Sequence, residues 1–410
     1  MINNNAQQPS SYRWVILIIA CLTTFIGSYA QFQIPALAYK LIPALNLSSS
    51  QYASILSAPM LPAIFFSIAA GAMADRFGVK KVVSVGFIFA IIGITFRFAA
   101  TNFWQMLILM AMAGCSSAFL NANISKLLGA WFPPEQIGTA MGVVLASATI
   151  AMTVGTATSA MFPSMASAFI TAGVICVIIA ALWLLFMKDK PEGAPDMPSM
   201  PVTKYIGVAA RSRSIWLVGL TMMFIMGGMM ALSGFLPNAL YTVRGLDPVK
   251  AGFVASLGTL GGLGGSVLGP VICDRIGYMK PFLVTSAALA TLGSYYAWQA
   301  PLGAIMAILF IINGFVGAAI SPLLMSFPML LPEIGPVYAG SAGGLIATMQ
   351  LIGAFCIPAF IITPIAGTNF YTMFGLAALS FLMAAVVIMF LPELGLKARA
   401  KSAPNSSQQA

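Results

Sequence analysis

Long apolar runs alternate with short polar breaks along the whole chain. Twelve runs are long enough to cross a bilayer as helices: 14–37, 51–73, 82–101, 104–125, 137–160, 165–187, 215–237, 249–272, 281–298, 302–325, 337–362 and 370–391. They do not alternate residue by residue, as the strands of a membrane barrel would. The one long polar interruption runs from Lys188 to Ser214 and is rich in Pro and charge. The pattern predicts an all-α integral membrane protein. It has an N-terminal six-helix bundle at 1–187, a central loop at 188–214, a C-terminal six-helix bundle at 215–392 and a tail at 393–410.

Composition agrees. Of the 410 residues, 60% are hydrophobic and 7% charged, against about 25% charged in soluble domains. A net charge of +10 suggests nucleic acid at first sight. The basic residues, however, are scattered over short loops without interleaved aromatics, which excludes that partner. Their placement instead orients the chain. With the N-terminus inside, fifteen of the nineteen Lys and Arg fall on the inner side; Lys40, Arg97, Arg244 and Lys250 fall outside. Both termini are therefore expected in the cytoplasm and the protein in the inner membrane. Ser28-Tyr29-Ala30 loosely resembles a signal cleavage site, but a single upstream Arg13 and a long apolar run predict a retained helix.

The halves repeat. Asp75-Arg76-Phe77-Gly78 returns as Asp274-Arg275-Ile276-Gly277 at an offset of 199, and Pro134-Glu135 as Pro332-Glu333 at 198. Both phrases fall on the inner side, so the repeat is parallel. It implies two bundles related by a pseudo-two-fold axis along the membrane normal, a transporter plan.

Gly71-x-x-x-Asp75-Arg76-x-Gly78-x-Lys80-Lys81 resembles the signature loop of the major facilitator superfamily. The second copy departs from it, with Pro270 in place of the first glycine and Tyr278-Met279 before Lys280. The resemblance covers about Arg13 to Glu393. It implies a membrane transporter, a monomer by default, and a cytoplasmic latch between the halves made by Gly71, Asp75, Arg76, Gly78, Lys80, Asp274, Arg275 and Gly277. In that latch Gly71 is expected at a close helix approach and Gly78 at a tight turn. Trp131-Phe132-Pro133-Pro134-Glu135-x-x-Gly138-x-x-Met141-Gly142 resembles the loop after the fourth span in nitrate- and oxalate/formate-type porters. Gly138 and Gly142 are expected there as a packing face.

The chemistry is sparse. The nine Asp and Glu all lie at loops or span ends and there is no histidine. A side-chain proton relay at the midplane is disfavoured; facilitated diffusion, exchange and substrate-carried coupling stay open. Five cysteines without close spacing predict neither disulfides nor a metal site, and no cofactor is expected. Arg97 lies about 24 Å along its helix from Lys81 at 1.5 Å per residue, so it is expected to snorkel to the outer interface. Lys126 is expected at the end of the fourth span.

The substrate-cavity candidates are uncharged: Tyr29, Gln31, Ser116, Asn121, Asn123, Asn313 and Gln350, with Thr24, Ser28, Ser147, Thr149 and Thr259 beside them. For each, a helix–helix hydrogen bond is the competing role. The Met-rich stretch Met222 to Leu232 offers a pliable apolar wall, Gly227-Gly228 a bend, Gly261, Gly265 and Gly269 a close-packing face, and Pro59, Pro62 and Pro358 kinks. An enzyme would need acid–base pairs, metal ligands or an activated nucleophile in the membrane; a sensor would need a large polar domain. A small organic or inorganic anion, moved by exchange, is one cargo. A neutral or amphipathic metabolite or drug-like compound is the alternative.

Overall fold

The computed structural model describes residues 11–191, 207, 209–331 and 333–397. Most of the central loop and of the tail lies outside them. The expected spans appear as helices. Span one is Arg13–Ala36, three begins at Val79–Thr95, five is Pro134–Thr158, six Met165–Phe186, seven Arg213–Thr242 and eight Pro248–Ile276. Span nine is Met279–Tyr296, ten Ala304–Leu330 and twelve Phe370–Met389. Among the described residues, ten helices are long and apolar enough to span a bilayer, and the bent second span makes an eleventh. Span nine falls short because it carries Lys280, four Ser or Thr residues and two Tyr.

Local sequence sets the ends. Side chains of Asn102, Ser164, Ser212, Asp247 and Asn369 accept from the first backbone N–H groups of their helices, satisfying donors a helix cannot pair internally. Breaks follow the prolines and glycines. Span two runs as Ser49–Ser57, a tight turn at Ala58–Met60 holding Pro59, and Leu61–Phe77 with Pro62 at its start. Span four is Phe103–Ala113 and Cys115–Trp131, interrupted at Gly114. It therefore continues past Lys126, which sits more than a turn inside the helix rather than at its end.

Span eleven, Gly335–Cys356, widens into a π-turn at Ile357–Ile362 that holds Pro358. Proline has no N–H to give the Ala354 carbonyl one turn back. The Ser57 hydroxyl donates to that carbonyl instead, at 3.0 Å.

The described residues form two compact units. The first holds 11–34, 58–155 and 161–191; the second holds 35–57, 156–160 and everything described from 207 onward. In the first, Trp183 is fully buried against Phe87 at 5.9 Å. In the second, Gly261, Gly265 and Gly269 let span eight lie against Ile311, Phe315 and Ala319 of span ten, as their spacing predicts; any side chain there would strike span ten's backbone. The segment 35–57 packs within the second unit. The buried Tyr52 hydroxyl donates to the Gly234 carbonyl at 2.8 Å, and the Ser49 hydroxyl to that of Gly367 at 2.6 Å.

Candidate functional site

Exposure separates lipid-facing surface from polar surface. In the first unit, large apolar side chains stand exposed on span three (Ile88, Phe89, Ile92) and span six (Val174, Val177, Ile178). Among the described residues, Cys115–Trp131 exposes no large apolar side chain. Its open positions are Asn121, Ala122 and Ser125. An amide facing hydrocarbon would cost several kcal/mol by the water-to-alkane scale, so this face borders a polar space. In the second unit, span eleven opens Gly340, Gly344 and Thr348 at four-residue spacing, and Gln350 nearby is half-buried with no side-chain hydrogen bond. Ser125 and Thr348 join the candidates. Sequence alone did not select them, because small polar residues are common in helix packing as well.

Other candidates are engaged inside their units. Asn123 is buried and its amide donates to the carbonyls of Ala70 and Phe119, at 3.3 and 3.0 Å. Ser147 ties span five to span one by donating to the Cys21 carbonyl at 3.1 Å. Thr24, Thr149 and Thr259 turn back onto their own helices. Tyr29 is buried and stacked on Phe25 at 5.9 Å; Gln31 and Ser28 are half-buried. Ser116 is fully buried without a hydrogen bond. Asn313 packs against Gly293 of span nine, its Oδ1 buried and unpaired. Gly293 leaves just the room its amide occupies.

Arg97 departs from expectation. It is 1% exposed and does not snorkel. Past Thr95 the helix tightens into a 3-10 turn at Phe96–Ala99, and this turns Arg97 into the unit. Its Nε donates to the Ile94 carbonyl at 3.1 Å, Nη1 to the Ala30 carbonyl at 2.7 Å and Nη2 to Gln33 Oε1 at 2.8 Å. Gln33 in turn donates to the Ala168 carbonyl at 3.0 Å, and the guanidinium lies 4.4 Å from the Phe169 ring centre. Every partner is neutral. The cation is hydrogen-bonded, and no carboxylate among the described residues cancels its charge.

These helices, polar faces and the paired halves match a known plan. The model of the Major Facilitator Superfamily matches residues 14–358. The chain belongs to the Major Facilitator Superfamily. It is 25% identical to a probable sulfoacetate transporter of Cupriavidus necator over 83% of this chain and 85% of that one. It is 23% identical to a probable nitrate/nitrite antiporter of Thermus thermophilus over 95% and 96%. A solved bacterial homologue of the human lysosomal transporter Spinster shares the fold, with a TM-score of 0.75 at 15% identity over 93% of this chain and 97% of that one. The superfamily consists of membrane transporters, not enzymes.

The superfamily's signature turns are resolved in both units. Gly78 has φ +88° and Gly277 +82°, positions that favour glycine. Asp75 pairs with Lys126 of span four at 2.7 Å, within the first unit. Arg76 lies over Phe77, and Asp274 and Arg275 are exposed. Two carboxylates that the sequence left without a role hold these turns. Asp189, just past span six, accepts from the Lys80 backbone N–H at 2.6 Å. Glu393, just past span twelve, accepts from those of Met279, Lys280 and Gly395 at 2.7, 3.0 and 2.8 Å. Each places an anion at a helix N-terminus, where the helix dipole favours it.

Two glycine expectations are corrected. A side-chain carbon at Gly71, Gly138 or Gly142 would meet nothing within 4 Å, so none marks a close approach here. Span seven runs through Gly227 and Gly228 without a break, and the two glycines make room for Ile357 and Phe381.

Proposed function

We propose that this superfamily member carries a small organic or inorganic anion across the cytoplasmic membrane by alternating access and exchange, with both termini cytoplasmic. Arg97 carries the reading. A unit charge at an effective dielectric of about 20 acts with about 0.8 kcal/mol over about 20 Å, roughly the length of span four from Met110, beside Arg97, to Asn121 and Ser125. Lodged against the Ala30 carbonyl, next to Tyr29 and Gln31, it makes the surroundings of span one positive without touching cargo. Cargo is then held by uncharged groups, and in the first unit Asn121 and Ser125 are the open ones. The relatives named for sulfoacetate and for nitrate/nitrite point to the same sign of charge. The described carboxylates stand at helix ends and in loops, which favours exchange over side-chain proton coupling.

The neutral-cargo alternative leaned on the methionines of span seven. Met222 and Met230 are buried in the second unit's own packing, so that stretch is largely core.

Counterflow into proteoliposomes tests the reading, with labelled sulfoacetate, labelled nitrate and a neutral sugar offered in parallel. The expected result is trans-stimulated uptake of at least one anion, none of the sugar, and no dependence on an imposed pH gradient. Uptake of the sugar alone, or accumulation driven by the pH gradient, contradicts it.

A further inference from the structure

Arg13 opens span one and, among the described residues, makes no hydrogen bond and no ion pair. Its Nε and Nη1 are buried. Two rings flank the guanidinium, Trp14 with its centre at 5.3 Å and Phe132 at 5.7 Å, and they meet edge to face at 5.7 Å. Alongside, Tyr12 packs on Trp131 at 5.7 Å, and the Lys188 ammonium lies 5.4 Å from the Tyr12 ring centre. Trp131 Nε1 donates to the Lys188 carbonyl at 3.1 Å. The start of span one, the end of span four and the segment after span six thus hold two cations on one ladder of aromatic rings.

A guanidinium drawn out of water without an acceptor is costly. The ring faces cover Nε and Nη1, and the Nη2 edge stays open. That edge, with a nearby ammonium, suits an oxyanion, and a guanidinium is the cation best matched to phosphate.

The surroundings identify the source of the phosphate. Trp14 is 52% exposed and Ile18, one turn deeper on the same face, 59%. Leu184 and Leu185, just before Lys188, are 55% and 74% exposed. An apolar stripe therefore descends from each cation along lipid-facing helix. Trp and Tyr at the rim of such a stripe mark headgroup depth, and basic pockets between spans at that depth take anionic headgroups. We propose that Arg13 and Lys188 hold the phosphodiester of an anionic phospholipid in the leaflet at this end of the first unit.

The second half supplies a built-in control. Arg213 opens span seven as Arg13 opens span one, yet it is exposed and has no ring beside it.

The full chain is reconstituted in nanodiscs of equal phosphatidylglycerol and phosphatidylcholine, released, and read by native mass spectrometry. Wild type retains phosphatidylglycerol over phosphatidylcholine, and Arg13→Gln cuts that preference about fivefold, the effect of one basic residue near an anionic surface. Arg213→Gln leaves it unchanged, and excess inorganic phosphate does not displace the lipid. Should Arg13→Gln not assemble, Lys188→Gln on the loop gives the same reading, with lost preference expected. Equal retention of the two lipids, full preference in Arg13→Gln or Lys188→Gln, an equal loss in Arg213→Gln, or displacement by free phosphate overturns the proposal.

Discussion

The two signature turns solve one problem with different strength. Each must start a helix after a glycine with positive φ, and each recruits a carboxylate from beyond the last span of its own half. Asp189 reaches one backbone N–H, and its turn gains support from Trp183, whose indole donates to the Lys80 carbonyl at 3.1 Å. Glu393, one methylene longer, uses both oxygens on Met279 and Lys280 and also takes Gly395. The glycines differ as well. Gly277 sits at ψ 0°, near the ordinary left-handed region, whereas Gly78 sits at ψ 154°, a combination almost confined to glycine. The first turn uses a conformation that only glycine adopts easily and is lightly clasped; the second lies in the left-handed region and is tightly clasped.

Three substitutions and one double-mutant cycle measure that difference by thermal unfolding in detergent. Glu393→Ala is expected to cost most, about 3 kcal/mol, because three backbone donors lose a charged acceptor. Gly78→Ala follows at about 2 kcal/mol from the backbone alone, aggravated because the new carbon would strike the Asp189 carboxylate. Gly277→Ala should cost about 1 kcal/mol, since it needs only the flexible Lys397 stem to move aside. If Gly277→Ala proves as damaging as Gly78→Ala, the contrast in strain fails. Smallest is the Asp75–Lys126 pair, whose side chains are 42% and 35% exposed. A double-mutant cycle should give no more than about 1 kcal/mol, falling with added salt. A larger, salt-insensitive coupling would mean that the pair is desolvated.

Much of this was legible in the chain. The spans followed from apolar length, and the turns followed from the repeated Asp-Arg-x-Gly. The Gly261, Gly265 and Gly269 face followed from its spacing. Azimuth was not legible. Spacing placed Arg97 at the correct depth along its helix, but a 3-10 turn at Phe96–Ala99 rotated it inward, and no local signal marks that tightening. Asn313 is similar: span ten is apolar on every side, so its pattern could not tell a cavity face from the face that Gly293 receives. The clasping carboxylates were visible as residues, but the helix starts they hold lie 109 or more positions away, beyond the reach of any local motif. Gly71 misled because a small residue permits close approach without requiring it.

The account turns on whether Arg97 acts as a fixed charge for the cargo. Anion counterflow should therefore be compared in wild type, Arg97→Lys and Arg97→Gln, each checked for folding by gel filtration. Removing the charge should raise KM for the anion about fourfold, near the 0.8 kcal/mol of the field argument, while Arg97→Lys stays closer to wild type and kcat changes less than KM. An Arg97→Gln protein that folds and transports the anion with an unchanged KM would contradict it.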